Sequence, residues 1–141
     1  MQTFLPYPDF IKSAECLDYR RLGKQRVECL QLLNTLSGYS MGWINHPCLK
    51  MWRGYEHLLA TYGIIVCNEW IFRGFKDTCR PKLQVFLEKF KFYNFPWWIT
   101  SKKLNDSHKS NLLRKDPEFY GKFGWDVPTN LEYYWPNEIT F

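Results

Sequence analysis

The stretch Ser13–Leu36, SAECLDYRRLGKQRVECLQLLNTL, decides the fold. It predicts one long helix. Ser13 offers an N-cap, no proline interrupts the run, and Ser37-Gly38 marks its end. At about 100° per residue, Tyr19, Leu22, Cys29, Leu30, Leu33 and Leu36 share one face, as a core-facing stripe requires. Arg21, Lys24, Gln25 and Glu28 share the opposite face. Two residues break this pattern. Arg26 falls inside the apolar stripe, and Gly23, which costs a helix about 1 kcal/mol relative to alanine, sits one turn before it. A guanidinium there needs a partner or a route to water. Either it pairs with a carboxylate such as Glu15, Glu56 or Glu69, or it enters a polar pocket beside Gly23 and meets an anionic ligand.

Outward from this helix, Met1–Phe10 reads as an extended arm and not as a signal peptide. Pro6 and Pro8 prevent a helix, while Phe4, Leu5, Tyr7 and Phe10 offer anchors to the core. After a loop at residues 38–45, Pro47 suits the first turn of a second long helix ending at Phe72 or Arg73, with Gly74 just beyond. Its stripe is Leu49, Trp52, Tyr55, Leu59, Tyr62, Val66 and Trp70, spaced three or four apart, which reads as packing. Asp77 or Thr78 caps a third helix with Pro81 near its start. FYNFPWWIT, Phe92–Thr100, is an aromatic loop. Asp106 or Ser107 caps a short basic helix that stops at Asp116-Pro117, and PEFYGKF adds one more turn. The tail from Gly124 to Phe141 reads as irregular chain packed by its rings. With no βαβ alternation and no hairpin signal, the expected fold is all-α, a single domain over residues 1–141 with the two long helices packed together.

Composition sets the bounds. The chain has 141 residues, of which 45% are hydrophobic and 19% aromatic, enough for one core. A net charge of +5 permits an anionic partner without requiring one. Five widely spaced cysteines without a C-x-x-C pair argue for reduced, buried thiols and a cytoplasmic setting. Neither they nor His46, His57 and His108 fall at metal-ligand spacing, so no metal and no cofactor is expected. No apolar run is long enough to span a membrane.

Cations fall in two sets. The first is Arg20, Arg21, Lys24 and Arg26, joined by Tyr19. The second is the segment 107–115, with Ser107, His108, Lys109, Asn111, Arg114 and Lys115. Residues of these types at a helix start suit phosphate contacts, because free backbone N–H groups point outward there. An ordinary capped and solvated helix fits the second set equally well. The rings of Trp97, Trp98, Trp125, Tyr133, Tyr134 and Trp135 flank the basic segment and offer stacking for unpaired bases, although most suit a core covering better. The two sets are expected to converge on one groove.

Several segments resemble the pyrimidine-dimer DNA glycosylases of the endonuclease V family. On the first helix these are Tyr19-Arg20 and then Arg26-Val27. On the second they are Tyr55-Glu56-His57-Leu58-Leu59, Cys67-Asn68-Glu69-Trp70 and Arg73-Gly74-Phe75. The bacterial and viral branch is similar through Phe4-Leu5-Pro6, Asn45-His46-Pro47, Met51-Trp52-Arg53-Gly54 and the run from Ser107 to Pro117. The resemblance implies a helical, monomeric enzyme that binds double-stranded DNA, extrudes a pyrimidine, and attacks C1′ with its N-terminal α-amine, assisted by a Glu on the first helix. An α-amine suits the task because its ordinary pKa of about 7.7–8.0 leaves part of it neutral at pH 7.

This sequence departs from the family pattern in three ways. The spacing within the first-helix motif is two residues longer. The position matching the family's Glu holds Arg21. Gln2 is large, so Met1 is expected to stay and to supply the amine. Glu28 and Glu56 are the replacement carboxylates, and each also reads as a surface or packing-edge group. Tyr19, Arg20 and Arg26 match well enough to inherit DNA contacts. The function expected is a repair glycosylase, with AP-lyase activity, for pyrimidine dimers or another damaged or modified pyrimidine. The alternatives are a non-catalytic binder of damaged nucleic acid and a helical domain that binds a nucleotide or anion.

Overall fold

The computed structural model describes residues 1–136, and among them every regular element is helical. The α-helices are α1 Phe10–Cys16, α2 Tyr19–Leu36, α3 Pro47–Trp52, α4 Glu56–Phe72, α5 Arg80–Lys89, α6 Lys102–Lys115 and α7 Pro117–Tyr120. Short 3-10 turns at Trp97–Thr100 and Gly121–Phe123 precede α6 and follow α7. The fold is all-α, and α2 packs on α4 as the two stripes predict. No helix among the described residues is long and apolar enough to cross a membrane.

Both predicted long helices are broken, each for a local reason. Ser13–Leu36 is α1 plus α2. The Asp9 carboxylate starts α1 by accepting from the Ile11 and Lys12 N–H groups. Leu17 then turns to extended backbone, and Asp18 caps α2 by accepting from Arg21 N–H. An Asp side chain satisfies donors that a continuous helix would leave to the preceding turn, so the chain can restart there at little cost. Ser13, the expected cap, lies inside α1 and exchanges hydrogen bonds with the Tyr7 backbone. Pro47–Phe72 is α3 plus α4, divided at Gly54, whose φ of +90° is left-handed backbone that favours glycine. The predicted stops at Gly38 and Gly74 are present, both with positive φ.

The N-cap of α5 is Cys79, not the expected Asp77 or Thr78, although the Asp77 carboxylate just before it accepts from the Cys79 and Arg80 N–H groups. α6 begins earlier than expected, capped by Ser101, so Asp106 and Ser107 lie within it. Residues 124–135 follow α7 without regular helix, as the sequence suggests, while 137–141 lie outside the described residues.

Leu22, Cys29, Leu32 and Leu33 of α2 meet Leu59, Tyr62 and Val66 of α4 and Leu83 of α5 in one core cluster. Full burial of each leucine contributes about 2 kcal/mol. Gly23 opens no pocket. A Cβ there would come within 2.8 Å of the Trp70 ring, so the missing side chain lets α4's indole press onto α2. Arg26 is held by internal partners. Its Nη1 lies 2.5 Å from the Asp77 carboxylate, its Nε donates to Gly23 O, and its guanidinium lies 4.5 Å from the Trp70 ring centroid. The partner is none of the three expected. Glu69 pairs with Arg73, and Glu56 accepts from Gly54 N–H. All five cysteines are buried free thiols.

Candidate active site at the N-terminal arm

An extended chain without a neighbouring strand leaves its backbone polar groups unpaired. Side chains from three helices fill that role for the arm. Gln2 N–H donates to Glu28 Oε2 at 2.9 Å, and Gln2 O accepts from Gln25 Nε2 at 2.6 Å. Phe4 N–H donates to Gln25 Oε1 at 2.5 Å, and Phe4 O accepts from the Tyr62 hydroxyl at 2.6 Å. Leu5 N–H donates to His108 Nδ1, and Leu5 O accepts from Asn105 Nδ2, both at 2.7 Å. The Thr3 hydroxyl accepts from Trp52 Nε1. Part of the polar face of α2 therefore meets the arm: Gln25 and Glu28 are buried, while Lys24 on the same face stays exposed.

The anchor at His108 requires a neutral ring, because Nδ1 must accept. Burial supplies that, pushing its pKa down to about 3. Leu5, Phe4 and Tyr133 surround the imidazole, the two rings edge-on.

A cleft of about 810 Å³ opens beside Met1. Gln2, Gln25 and Glu28 line it along with Met1. α2 contributes Tyr19, Arg20, Arg21 and Lys24, and the end of α6 contributes Lys115. Phe119 and Tyr133 bring rings from the C-terminal third. Asp18 lies in the same wall and organises part of it. Its carboxylate accepts from the Tyr120 hydroxyl and, at 3.1 Å, from Arg21 Nη1. Burial alone would raise the Asp18 carboxyl, but the hydrogen bonds from Tyr120 and Arg21 outweigh it and hold the group below its ordinary value. Lys24 Nζ lies 3.8 Å from Glu28.

The structure brings together only part of the predicted site. Met1, Glu28, Tyr19, Arg20, Arg21, Lys24 and Lys115 share the cleft; Glu56 and Arg26 lie outside it. The basic helix does not face this cleft as a set, because α6 is sandwiched between the arm and the C-terminal chain. Ser107 accepts from Tyr134 N–H and donates to Leu104 O. Asn111 donates to Ser107 O and Leu131 O. Arg114 binds Thr129 O, Leu131 O and Asn111 Oδ1. The Lys109 ammonium sits 4.9 Å from the Tyr7 ring centroid. His108 holds Leu5. The expectation of a single groove holding Arg26, Lys109 and Arg114 with the other cations is thus corrected: each of those three is turned to an internal partner.

Sequence reading missed Gln2, Asp18 and Phe119 as cleft residues, whereas Gln25 lies on the helix face shared with Glu28 and Tyr133 is among the rings offered for stacking. Asp18 carried a usable signal, an Asp directly before a helical Tyr-Arg. Gln2 and Phe119 carried none, since only the docking of the arm and of α7 brings them to the cleft.

The cleft combines cations suited to phosphates, rings suited to a base, and a buried carboxylate bonded to the residue after the terminal amine. A sequence profile of the family described as pyrimidine dimer DNA glycosylase matches residues 1–83. No curated protein and no solved structure matches the chain. The profile covers more than half of the 141 residues, including the arm and all of α2, and on that ground the chain belongs to the pyrimidine dimer DNA glycosylase family.

Proposed function

We propose that the protein is a DNA glycosylase that excises a pyrimidine of a dimer, or another damaged or modified pyrimidine, from duplex DNA, and that it then acts as an AP lyase. The observation that carries this reading is the 2.9 Å bond from Gln2 N–H to the Glu28 carboxylate, which ties the Met1 end of the chain to an acid inside a cation-lined cleft. In this mechanism the neutral Met1 amine forms a bond to C1′. The C1′–N bond breaks, and its electron pair leaves with the base, which takes up a proton. The nitrogen gives up one proton, and its lone pair then expels O4′, which leaves with the C1′–O4′ electron pair and takes up a proton. The resulting protonated Schiff base undergoes β-elimination that breaks the C3′–O bond and releases the phosphate. Glu28 takes up a proton from the attacking amine, a role supported by its bond to the N–H of the next residue, Gln2. It serves in place of the family's Glu, since Arg21 occupies that position. Arg20, Arg21, Lys24 and Lys115 hold the phosphates on either side of the extruded nucleotide, with Phe119 and Tyr133 as surfaces for its base.

Borohydride trapping tests this. Incubation with duplex containing a thymine dimer is expected to give a covalent protein–DNA adduct. Adding two residues ahead of Met1 is expected to abolish it, because the reacting amine then lies beyond the Glu28 anchor. Binding without adduct or strand cleavage would instead identify a non-catalytic binder of damaged DNA.

A further inference from the structure

Resting on the glycosylase reading above, we propose that Gln2 is the specificity residue of the cleft and reads the extruded pyrimidine through its side-chain NH₂ group. Gln2 lines the cleft and is only 6% exposed. Its Nε2 is a buried donor with no hydrogen-bond partner. Buried amide donors are rarely left unpaired, and an orphan just beneath the surface of a residue that lines a cleft is a place where a ligand acceptor can complete it. The orientation of the amide is set by its other end: Oε1 accepts from Thr3 N–H at 2.9 Å, so a flipped amide would place two donors against each other. The backbone of Gln2 is equally fixed, its N–H by Glu28 and its carbonyl by Gln25.

Position selects the acceptor. The base hangs from the same C1′ that the Met1 amine attacks, and Gln2 is the next residue along a pinned arm. The base atom nearest that point is the ring carbonyl beside the glycosidic nitrogen. Every pyrimidine has one, and dimer formation, which saturates C5 and C6, leaves it intact. The ligand class is therefore a pyrimidine keeping this carbonyl, whatever has happened at its C5–C6 edge.

Two substrates separate base reading from amine chemistry. A thymine-dimer duplex needs the base to be held, whereas a duplex with a preformed abasic site reacts with the amine and has no base to hold. In Gln2→Met, which keeps the length and loses the donor, the ratio of dimer to abasic-site trapping is expected to fall roughly ten-fold. Gln2→Glu, which keeps an oxygen for Thr3 N–H, is expected to shift the ratio the same way and covers the case in which the methionine variant misfolds. An unchanged ratio in the folded variants, whether both activities fall together or neither falls, would overturn the proposal and reduce Gln2 to an anchor of the arm. Failure of the unsubstituted protein to trap either DNA would overturn the glycosylase reading itself, and the role of Gln2 with it.

Discussion

At the scale of single residues, Asp18 and Arg26 show how a charge in a helix finds its use. Asp18 begins α2 and also grips Arg21, while the Tyr120 hydroxyl donates to its carboxylate and accepts its N–H. The hydroxyl is held above its ordinary pKa mainly by burial and stays a donor. Tyr120→Phe removes that bond and leaves the ring. We expect it to lower stability by about 1–2 kcal/mol and to weaken binding of dimer-containing DNA a few-fold, with the salt slope retained because every cation remains. Denaturation and binding titrations at several salt concentrations check this; a reduced slope would show that the relay to Arg21 is misread. Arg26 is the opposite case, a family-matching arginine turned away from the cleft. Arg26→Ala removes the charged partner of the Asp77 carboxylate, whose side chain is 1% exposed, leaving it the Cys79 and Arg80 N–H groups, and is expected to cost about 3 kcal/mol. Affinity for DNA, measured well below the melting point, should stay within two-fold or so of the parent. A large loss of affinity in the folded variant would return Arg26 to the site.

At the scale of elements, the arm is the unusual one: an extended segment held by buried side chains where a sheet would use a strand. That arrangement makes its anchorage sensitive to acid. His108 has a folded pKa of about 3, against 6.5 ordinarily, so between these values the unfolded chain binds the extra proton. Stability therefore falls as pH drops from 6.5 toward 3, by at most about 1.4 kcal/mol per pH unit. His57, lowered by burial and by Lys91, pulls in the same direction, whereas the depressed carboxyls of Asp18 and Asp77 act only lower down. Urea denaturation at pH 7, 6 and 5 in a His57→Asn background should show the decline. His108→Asn, which keeps an acceptor for Leu5 N–H, should flatten it. A flat profile before the second substitution would mean that protonated His108 is tolerated in the fold.

At the scale of the whole molecule, the cleft draws on chain segments far apart. Gln2 and Glu28 come from the family-matching part, whereas Lys115, Phe119 and Tyr133 lie beyond residue 83. The sequence by itself determined the helical class, the ends of α2 and α4 at Gly38 and Gly74, their mutual packing and the buried state of the thiols. These follow from spacings of three and four residues and from local backbone preferences, both readable within one turn. It also marked Glu28 as a candidate, although by elimination once Arg21 was seen at the family's Glu position. Only the tertiary structure decided that Arg26 pairs with Asp77, 51 residues away, and that Gln25 and Glu28 on the polar face of α2 are covered by the arm. It likewise turned the residues of α6 into clamps for two chain ends. A helical wheel sorts side chains into faces but does not say what comes to lie against each one. That depends on how the long-range apolar contacts close, and polar side chains then bond to whatever backbone the closure leaves unpaired.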